Sequence, residues 1–369
     1  MQTKNHVGVD RVLLIYFVAI VLFGLAALFS ASTPVGYAKF GDAWFFVKRQ
    51  IFYGLIPGVL AAIVLSRTDL GKIRKLSWAV YLLSLFFLVL VFIPRVGLSI
   101  NNSRSWIQFF GYTFQIAEFS KLAIVIILAY LLSQKMYDWD NWQTSLVPVL
   151  AILSPTLILI LLQPDIGTLS IIVVEIFAML FIAKVPVRYL LVLGLIGVVS
   201  FVSLIVAAPY RSQRITTFLH PELDPKGQGY QMNQAFLAVG SGGFWGRGFG
   251  QSRQKYQYLP EVSADTIFAV IAEENGFLIS TALILLVLLI VWRGFKIGMA
   301  SDDPFGALLV TGIMVWFGWQ SFLNIGATVG ALPLTGVPLP FVSHGGSALV
   351  MALAGVGIVL SVSRSSNIS

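Results

Sequence analysis

Apolar runs of about 17–25 residues recur along the chain, and polar turns separate them. Each run is long enough for a helix across the hydrocarbon core, and none alternates as the strands of a membrane barrel do. The pattern therefore predicts an all-α polytopic membrane protein with about ten transmembrane helices. The ten segments are 12–31, 44–66, 76–94, 114–133, 145–162, 168–184, 187–208, 265–292, 305–326 and 345–363.

One polar stretch, residues 209–264, is far longer than the other turns and lies between the seventh and eighth predicted helices. We expect it to form a large extracytoplasmic loop. No internal repeat and no second soluble domain is evident, so residues 1–369 are predicted to form a single integral membrane domain that includes this loop. The other segments then act as a scaffold that holds the loop at a membrane surface.

Composition agrees with membrane insertion. Of the 369 residues, 57% are hydrophobic and only 11% are charged, and the mean hydropathy is +0.87. Such a chain has too little charge to cover the surface of a soluble domain. In a membrane protein, a net charge of +8 indicates a role in orienting the chain and in binding anionic lipid headgroups, and it is weaker evidence for nucleic-acid binding. The sequence contains no cysteine, which excludes disulfide and thiol chemistry.

The distribution of basic residues predicts an orientation. Ten helices place both termini on one side, and that side carries twelve basic residues against five in the short loops and span ends opposite. Positive charge favours the cytoplasmic side, so the termini are predicted to be cytoplasmic and residues 209–264 to lie outside. The twelve are Lys4, Arg11, Arg67, Lys72, Arg74, Lys75, Lys135, Lys184, Arg188, Arg293, Lys296 and Arg364; the five are Lys39, Lys48, Arg49, Arg95 and Arg104.

Several ionisable residues fall inside the apolar segments. Glu118 and Lys121 stand three positions apart on a predicted helix and can pair, either as a neutralised structural pair or as a cavity wall. Asp165, after Pro164, is predicted to cap the next helix. Glu175 lies in mid-span, where a carboxylate must be protonated or partnered, and the sequence does not name a partner.

The long polar segment contains a glycine-dense run, Gly240 to Gly250. It lacks the Gly-Lys-Ser/Thr ending of a phosphate loop and no strand precedes it, so a tight backbone turn beneath the headgroups is the better interpretation. Just before it, residues 231–239 show helical spacing of apolar positions, which predicts a short amphipathic helix on the membrane surface.

The last outer loop, residues 324–348, is rich in proline and glycine. Irregular backbone at membrane depth is tolerated where it is buried or lines a cavity. Ser343, Gly345 and Gly346 open the tenth helix, and amides at a helix start can face an anion; a rigid re-entrant turn is the alternative. His344 is interpreted as a hydrogen-bonded loop residue, because the three histidines show no metal-ligand spacing.

These motifs together resemble one family. The segments YRSQR, DPKGQGYQMNQAFLAVGSGG, QKYQYLPEVSADTIFAVIAEENG and LPLTGVPLPFVSHGGSA are similar to signatures of the SEDS proteins (shape, elongation, division and sporulation), and the likeness spans the whole chain. It leans toward the division branch, FtsW, through Gln254-Lys255 and Thr335-Gly336, although Ser347-Ala348 is closer to the elongation branch, RodA.

Membership would imply a peptidoglycan glycosyltransferase that polymerises lipid II, the lipid-linked disaccharide-pentapeptide. It would also imply a class B penicillin-binding protein as partner, other division or elongation proteins, and the bacterial cytoplasmic (inner) membrane. Three motifs depart from the usual pattern, at Ala264-Asp265-Thr266, Gln115 to Glu118, and Ser343 to Gly346. The carboxylates survive in the first two, so the activity is retained as the expectation.

By this resemblance Asp265 is the catalytic base; the alternative from the residues alone is a helix N-cap. Cations of the outer loops are predicted to stabilise the departing pyrophosphate, although nearby cations would also lower the pKa of Asp265 and weaken it as a base. The predicted substrate-binding residues are Arg104, Glu118, Lys121, Arg211, Arg214, Lys255, Ser343, Gly345 and Gly346.

Two rival functions stay open. A transporter or flippase for the lipid-linked precursor would use intramembrane carboxylates such as Glu118, Glu175, Glu273 and Glu274, but the repeats typical of transporters are missing. A non-catalytic division scaffold is the other. No cofactor is assigned, and a divalent cation, Mg²⁺ or Mn²⁺, on the pyrophosphate stays open because no ligand cluster argues for it.

Overall fold

A computed structural model of the protein describes residues 8–100, 103–109, 112–134, 139, 141–206 and 209–365. Each of the ten predicted segments contains a helix. The helices are α1 Arg11–Phe40, α2 Phe45–Gln50, α3 Ile56–Arg67, α4 Leu70–Leu90, α5 Ile116–Leu132, α6 Trp142–Leu162, α7 Ile166–Ile182, α8 Val187–Val206, α9 Pro209–Leu219, α10 Gln228–Gly242, α11 Ile267–Met299, α12 Pro304–Thr328 and α13 Gly346–Ser363.

Seven of the described helices are long and apolar enough to cross a membrane. One of them, Phe45–Arg67, joins α2 to α3 through a π-helical turn at Ile51–Leu55. The chain is therefore a polytopic helical membrane protein, and the count of ten spans stays a prediction. The other six are Arg11–Phe40, Leu70–Leu90, Trp142–Leu162, Ile267–Met299, Pro304–Thr328 and Gly346–Ser363.

The bundle has a buried centre and an apolar outer surface. Helices α5, α12 and α13 are buried along most of their length, whereas α4 and α8 expose leucine, valine and phenylalanine side chains. Exposed apolar side chains on a long helix are what a lipid-facing surface requires. The central helices consequently carry the buried polar groups described below.

Local signals set several helix starts. The Asp10 carboxylate accepts a hydrogen bond from the Leu13 amide at 2.7 Å and also pairs with Arg293 at 2.8 Å, which ties the start of α1 to α11. Asp165 caps α7 as predicted, because its two carboxylate oxygens accept from the Thr168 amide and hydroxyl at 3.0 and 2.9 Å.

Two boundaries differ from the sequence prediction. The basic stretch Leu70 to Lys75, predicted as a loop, forms the first turns of α4, because lysine and arginine are good helix formers and Asp69 provides an extended residue at the start. The stretch before Glu118, also predicted as a loop, holds an antiparallel sheet. Its strands are β1 Gly97–Ile100, β2 Ser103–Phe109 and β3 Tyr112–Gln115, in the order β1-β2-β3.

The long polar segment is partly helical. It contains α9, a 3-10 turn at Pro221–Leu223, and α10, which includes the predicted helix at 231–239. Helix α10 packs against α11 and buries Met232, Ala235 and Ala238. Between α10 and α11 the chain forms turns and no regular element, and Asp265 lies next to the end of this stretch.

Candidate active site

Asp265 lies two residues before the first residue of α11. The residue in the capping position of α11 is Thr266, and its side chain makes no capping hydrogen bond. The alternative interpretation of Asp265 as an N-cap is therefore wrong. Because its carboxylate is not used to terminate the helix, it is available for other chemistry.

Three consecutive carbonyl groups hold the backbone at this position. The carbonyl of Ser263 accepts from the His344 amide at 2.7 Å, and that of Ala264 accepts from the Ser343 hydroxyl at 2.6 Å. The carbonyl of Asp265 itself accepts from the side-chain amide of Asn324 on α12 at 2.8 Å. Helix α12 and the segment that follows it thus fix the backbone around Asp265 from one side.

The surroundings make Asp265 a much weaker acid than usual. The residue is partly exposed at the surface and otherwise enclosed by protein. Loss of hydration and the negative charge of Glu261 raise the pKa of Asp265 to about 7, whereas the Arg214 guanidinium acts in the opposite direction. The predicted weakening of the base by cations is therefore outweighed, and a pKa near 7 suits a group that accepts protons near neutral pH.

The predicted basic residues are distributed unequally around Asp265. Arg214 on α9 acts on Asp265 electrostatically and is half-buried. Arg104 is exposed on β2, where its amide donates to the Gln163 carbonyl at 3.4 Å. Arg211 also belongs to α9, but its side chain lies outside the described part of the structure.

Lys255 was predicted to bind substrate, but its side chain lies in the protein interior. Its ammonium is buried and donates to Glu274, the Ser30 hydroxyl and the Gly250 carbonyl at 2.8, 3.0 and 2.7 Å. Three protein partners occupy all three donors of an ammonium. In this conformation Lys255 therefore ties the outer loop to α1 and α11, and it does not present charge to a pyrophosphate.

Glu273 and Glu274 hold the same loop from α11. Glu273 accepts from the Ser252 hydroxyl at 2.5 Å, and from the amides of Arg253 and Gln254 at 3.0 and 3.3 Å. Glu274 accepts from the Ser252 amide and from the Ser30 hydroxyl. Both carboxylates are buried within this network and serve the outer loop.

The predicted pairing of Glu118 with Lys121 is confirmed. Their charged atoms are 2.9 Å apart, and both side chains are almost completely buried. Lys121 also donates to Gln320 on α12 at 2.6 Å and lies 4.9 Å from the centre of the Trp316 ring. Glu175 is buried nearby, and no described residue donates a hydrogen bond to its carboxylate.

A small cavity connects this buried pair with the segment before α13. Its lining includes Glu118, Gln320 and Ser343. One carboxylate oxygen of Glu118 has no hydrogen-bond partner among the described residues. The pair is therefore linked to the segment that fixes Asp265, which favours the interpretation as a cavity wall over a purely structural pair.

The start of α13 is filled by protein groups. The Gln50 side chain accepts from the Gly345 amide at 3.0 Å and donates to the Ser343 carbonyl at 3.2 Å. The Ser343 hydroxyl also accepts from the Leu339 amide, in addition to its hydrogen bond to the Ala264 carbonyl. These contacts assign Ser343 and Gly345 to positioning of the backbone, while anion binding at Gly346 stays a prediction.

His344 is a structural loop residue, as predicted. Burial and the nearby Arg49 charge lower the pKa of His344 to about 4, so the ring is neutral near pH 7. Its ring packs edge-on against Phe46. No group of three or more His, Asp or Glu side chains that could hold a metal ion occurs among the described residues.

Sequence reasoning missed Asn324, Gln320 and Gln50. Asn324 and Gln320 stand four residues apart on α12, and their side-chain amides donate to the carbonyls of Val337 and Pro338, both at 2.8 Å. Amide side chains at this spacing share one helix face. Two polar residues inside an apolar span were the signal that could have identified them.

These features define a class: a polytopic helical membrane protein with a carboxylate on a fixed backbone at the end of a span. The sequence profile of the FtsW/RodA/SpoVE family, described as cell cycle proteins, matches residues 10–368. The chain is 40% identical over 363 residues to stage V sporulation protein E of Bacillus subtilis (strain 168). The aligned region covers 98% of this chain and 99% of that protein. The chain belongs to the FtsW/RodA/SpoVE family, and the predicted SEDS membership is confirmed.

Further relatives represent other branches. A probable peptidoglycan glycosyltransferase FtsW of Geobacter sp. (strain M18) is 36% identical over 356 residues, covering 96% of this chain and 97% of that protein. A chain of a peptidoglycan synthase complex superposes with a TM-score of 0.79 at 30% identity, covering 96% and 98% of the two chains. The rod shape determining protein RodA of Thermus thermophilus superposes with a TM-score of 0.71 at 28% sequence identity, and the match covers 99% of this chain and 100% of that chain. The lean toward FtsW stays a prediction.

Proposed function

We propose that this protein is a peptidoglycan glycosyltransferase that polymerises lipid II into glycan strands, with Asp265 as the general base. The observation that carries the proposal is a carboxylate whose backbone is fixed from one side and whose pKa is raised to about 7, at the end of a span. The names of relatives, which include probable peptidoglycan glycosyltransferases and a chain of a peptidoglycan synthase complex, support the same activity.

In the proposed reaction, Asp265 removes the proton from the acceptor sugar hydroxyl. The resulting oxygen attacks the anomeric carbon of the donor, and the bond to the lipid pyrophosphate breaks. A positioned base contributes about 10²–10⁴ in rate. A cation about 4 Å from the departing pyrophosphate contributes about 4 kcal/mol at an effective dielectric constant of 20. Arg214, Arg211 and Arg104 are proposed for this role, and no step is assigned to a metal ion.

The direct experiment supplies labelled lipid II to the purified protein, with and without a class B penicillin-binding protein as partner. Glycan polymer is the expected product. A flippase would instead move the lipid across vesicle membranes without forming polymer, and the buried Glu118, Lys121 and Glu175 are the features that favour this second candidate. A scaffold would do neither, so the three functions are separated by two measurements.

We further propose ten spans within one membrane domain, residues 1–369, in the bacterial cytoplasmic membrane. Both termini are placed in the cytoplasm and residues 209–264 outside, on the basis of the unequal distribution of basic residues. Under this arrangement Asp265 meets substrate on the outer face of the membrane. Other division or elongation proteins are proposed as further partners.

The orientation makes a labelling prediction. The native chain has no cysteine, and Lys226 and Lys72 are both exposed, so single cysteines at these positions give an unambiguous signal. In intact protoplasts, an impermeant maleimide is expected to label the variant Lys226→Cys and to leave Lys72→Cys unlabelled. After lysis both should react. Labelling of Lys72→Cys alone in intact cells would reverse the proposed orientation.

The raised pKa of Asp265 makes a prediction about pH. A base must be ionised, so kcat/KM for lipid II should rise with pH through about 7 and be about tenfold below its plateau one pH unit lower. Because the charge of Glu261 raises this pKa, Glu261→Gln should move the rise to lower pH. An unchanged profile in this variant would argue that another group controls the rise.

A further inference from the structure

Residues Gly243 to Phe249 follow directly after α10, and we call them the aromatic hook. Three large side chains of the hook face outward: Phe244, Trp245 and Phe249 are 53%, 77% and 56% exposed. Exposed aromatic side chains grouped within seven residues are unfavourable in water and mark a surface that another apolar medium covers. The glycosyltransferase proposal assigns no role to these residues.

The backbone of the hook is joined to α11 at a break in that helix. Gly276 has φ 71° and ψ −171°, a conformation essentially restricted to glycine, and a Cβ there would lie 2.2 Å from the Gly246 nitrogen. The two backbones therefore touch, and the hook supplies the hydrogen bonds that the helix loses. The amides of Arg247, Gly248, Phe277 and Leu278 donate to the carbonyls of Glu273, Glu274, Gly243 and Phe244, at 3.0, 2.9, 2.9 and 3.3 Å.

This arrangement satisfies the peptide groups at the break without water. A broken helix at an aqueous surface can leave its freed amides and carbonyls to solvent, whereas at membrane depth each unsatisfied group costs several kcal/mol. Four protein–protein hydrogen bonds at one break are what a bilayer environment demands. The backbone evidence therefore agrees with the exposed aromatic side chains.

The hook is also continuous with the lipid-facing surface of α11. The Phe244 ring stacks on Phe277 with centres 6.0 Å apart, and Phe277 is itself 62% exposed. Farther along the same helix Leu285, Leu288 and Trp292 are exposed. Because α11 is a membrane-spanning candidate, its exposed apolar face contacts acyl chains, and Phe244 extends that face beyond the break.

We propose that the aromatic hook inserts into the bilayer at the boundary between acyl chains and headgroups, next to the break in α11. Aromatic side chains favour this boundary. Arg247, within the hook, is exposed; its guanidinium donates to the Ser241 carbonyl at 3.3 Å, lies 3.7 Å from Glu273 and faces the headgroup layer. The lipid surface thereby sets the depth of the outer loop.

The test measures depth and uses no enzymatic activity, so it succeeds or fails independently of the glycosyltransferase proposal. Single cysteines replace Trp245 and Phe249 in the full chain, each carries a nitroxide spin label, and the protein is placed one copy per nanodisc of phosphatidylethanolamine and phosphatidylglycerol. Collision rates with oxygen, which concentrates in lipid, and with a water-soluble nickel chelate report the environment. Lys226→Cys is the aqueous reference, and Leu288→Cys is the lipid reference on α11.

Positions 245 and 249 are expected to show oxygen-to-nickel ratios that lie above the ratio at 226 and approach the ratio at 288. Ratios equal to that at position 226 would overturn the proposal, since they would place the hook in water. Low collision rates with both reagents would also overturn it, because they would show that protein covers the hook.

Discussion

Replacement of Asp265 by asparagine is expected to lower lipid II polymerisation by about 10²–10⁴-fold, the contribution of a positioned base. Asparagine preserves the size of the side chain but does not accept the proton. The backbone contacts from His344, Ser343 and Asn324 use main-chain carbonyls, so they survive the substitution. The protein should therefore fold, insert and bind its partner normally while glycan polymer is lost, as a gel of labelled products would show.

The matched control is Glu222→Gln, because Glu222 is an exposed carboxylate of the same outer segment whose ion-pair partner among the described residues is the exposed His220. This variant should polymerise lipid II like the parent, and thermal melts of both variants should match the parent. Near-parental polymer from Asp265→Asn would remove the assignment of Asp265 as base. Loss of polymer together with a lowered melting temperature would show instead that the position is structural.

A second large effect is expected at the buried pair of Glu118 and Lys121. Either single change, Glu118→Gln or Lys121→Met, leaves an uncompensated buried charge and should destabilise the fold by about 3–5 kcal/mol. The double variant removes both charges and should recover much of this stability. Detergent-solubilised thermal melts of the four proteins provide the comparison.

An exposed ion pair supplies the control. Asp42 and Lys48 are 2.8 Å apart, close to the 2.9 Å of the buried pair, but they lie at the surface, so Lys48→Met should leave the melting temperature close to that of the parent. The double variant also separates the two interpretations of the pair. Normal polymerisation by a stable double variant would make the pair structural, whereas an inactive but stable double variant would place it in the substrate cavity.

The helical bundle was accessible from sequence because its signals are local. An apolar run long enough to cross the bilayer identifies a helix regardless of its neighbours, and each predicted segment contains one. The cap at Asp165 and the pair of Glu118 and Lys121 depend on residues three positions apart, so they were also predicted correctly. Such contacts are determined by helix geometry alone.

The parts that were missed depend on distant contacts. Lys255 was predicted to bind substrate because it lies in the outer loop, yet its ammonium donates to Ser30 and Glu274, which are 225 and 19 residues away. The antiparallel sheet before α5 is the exception, because its strands are neighbours along the chain and pair locally, as Phe109 does with Tyr112. Asn324 could be recognised as polar within a span, but its contact with the Asp265 carbonyl 59 residues away could not.

The break at Gly276 divides α11 mechanically. Residues 267–275 share their hydrogen bonds and side chains with the outer loop, through Glu273 and Glu274, whereas residues 277–299 pack in the bundle. Along α11 itself, a displacement of the inner part reaches the outer part through Gly276 and the hydrogen bonds of the hook. Asn324, Ser343 and His344 hold the backbone around Asp265 on the outer side of the break, so the position of the carboxylate depends on α12 and the segment before α13 as well as on α11.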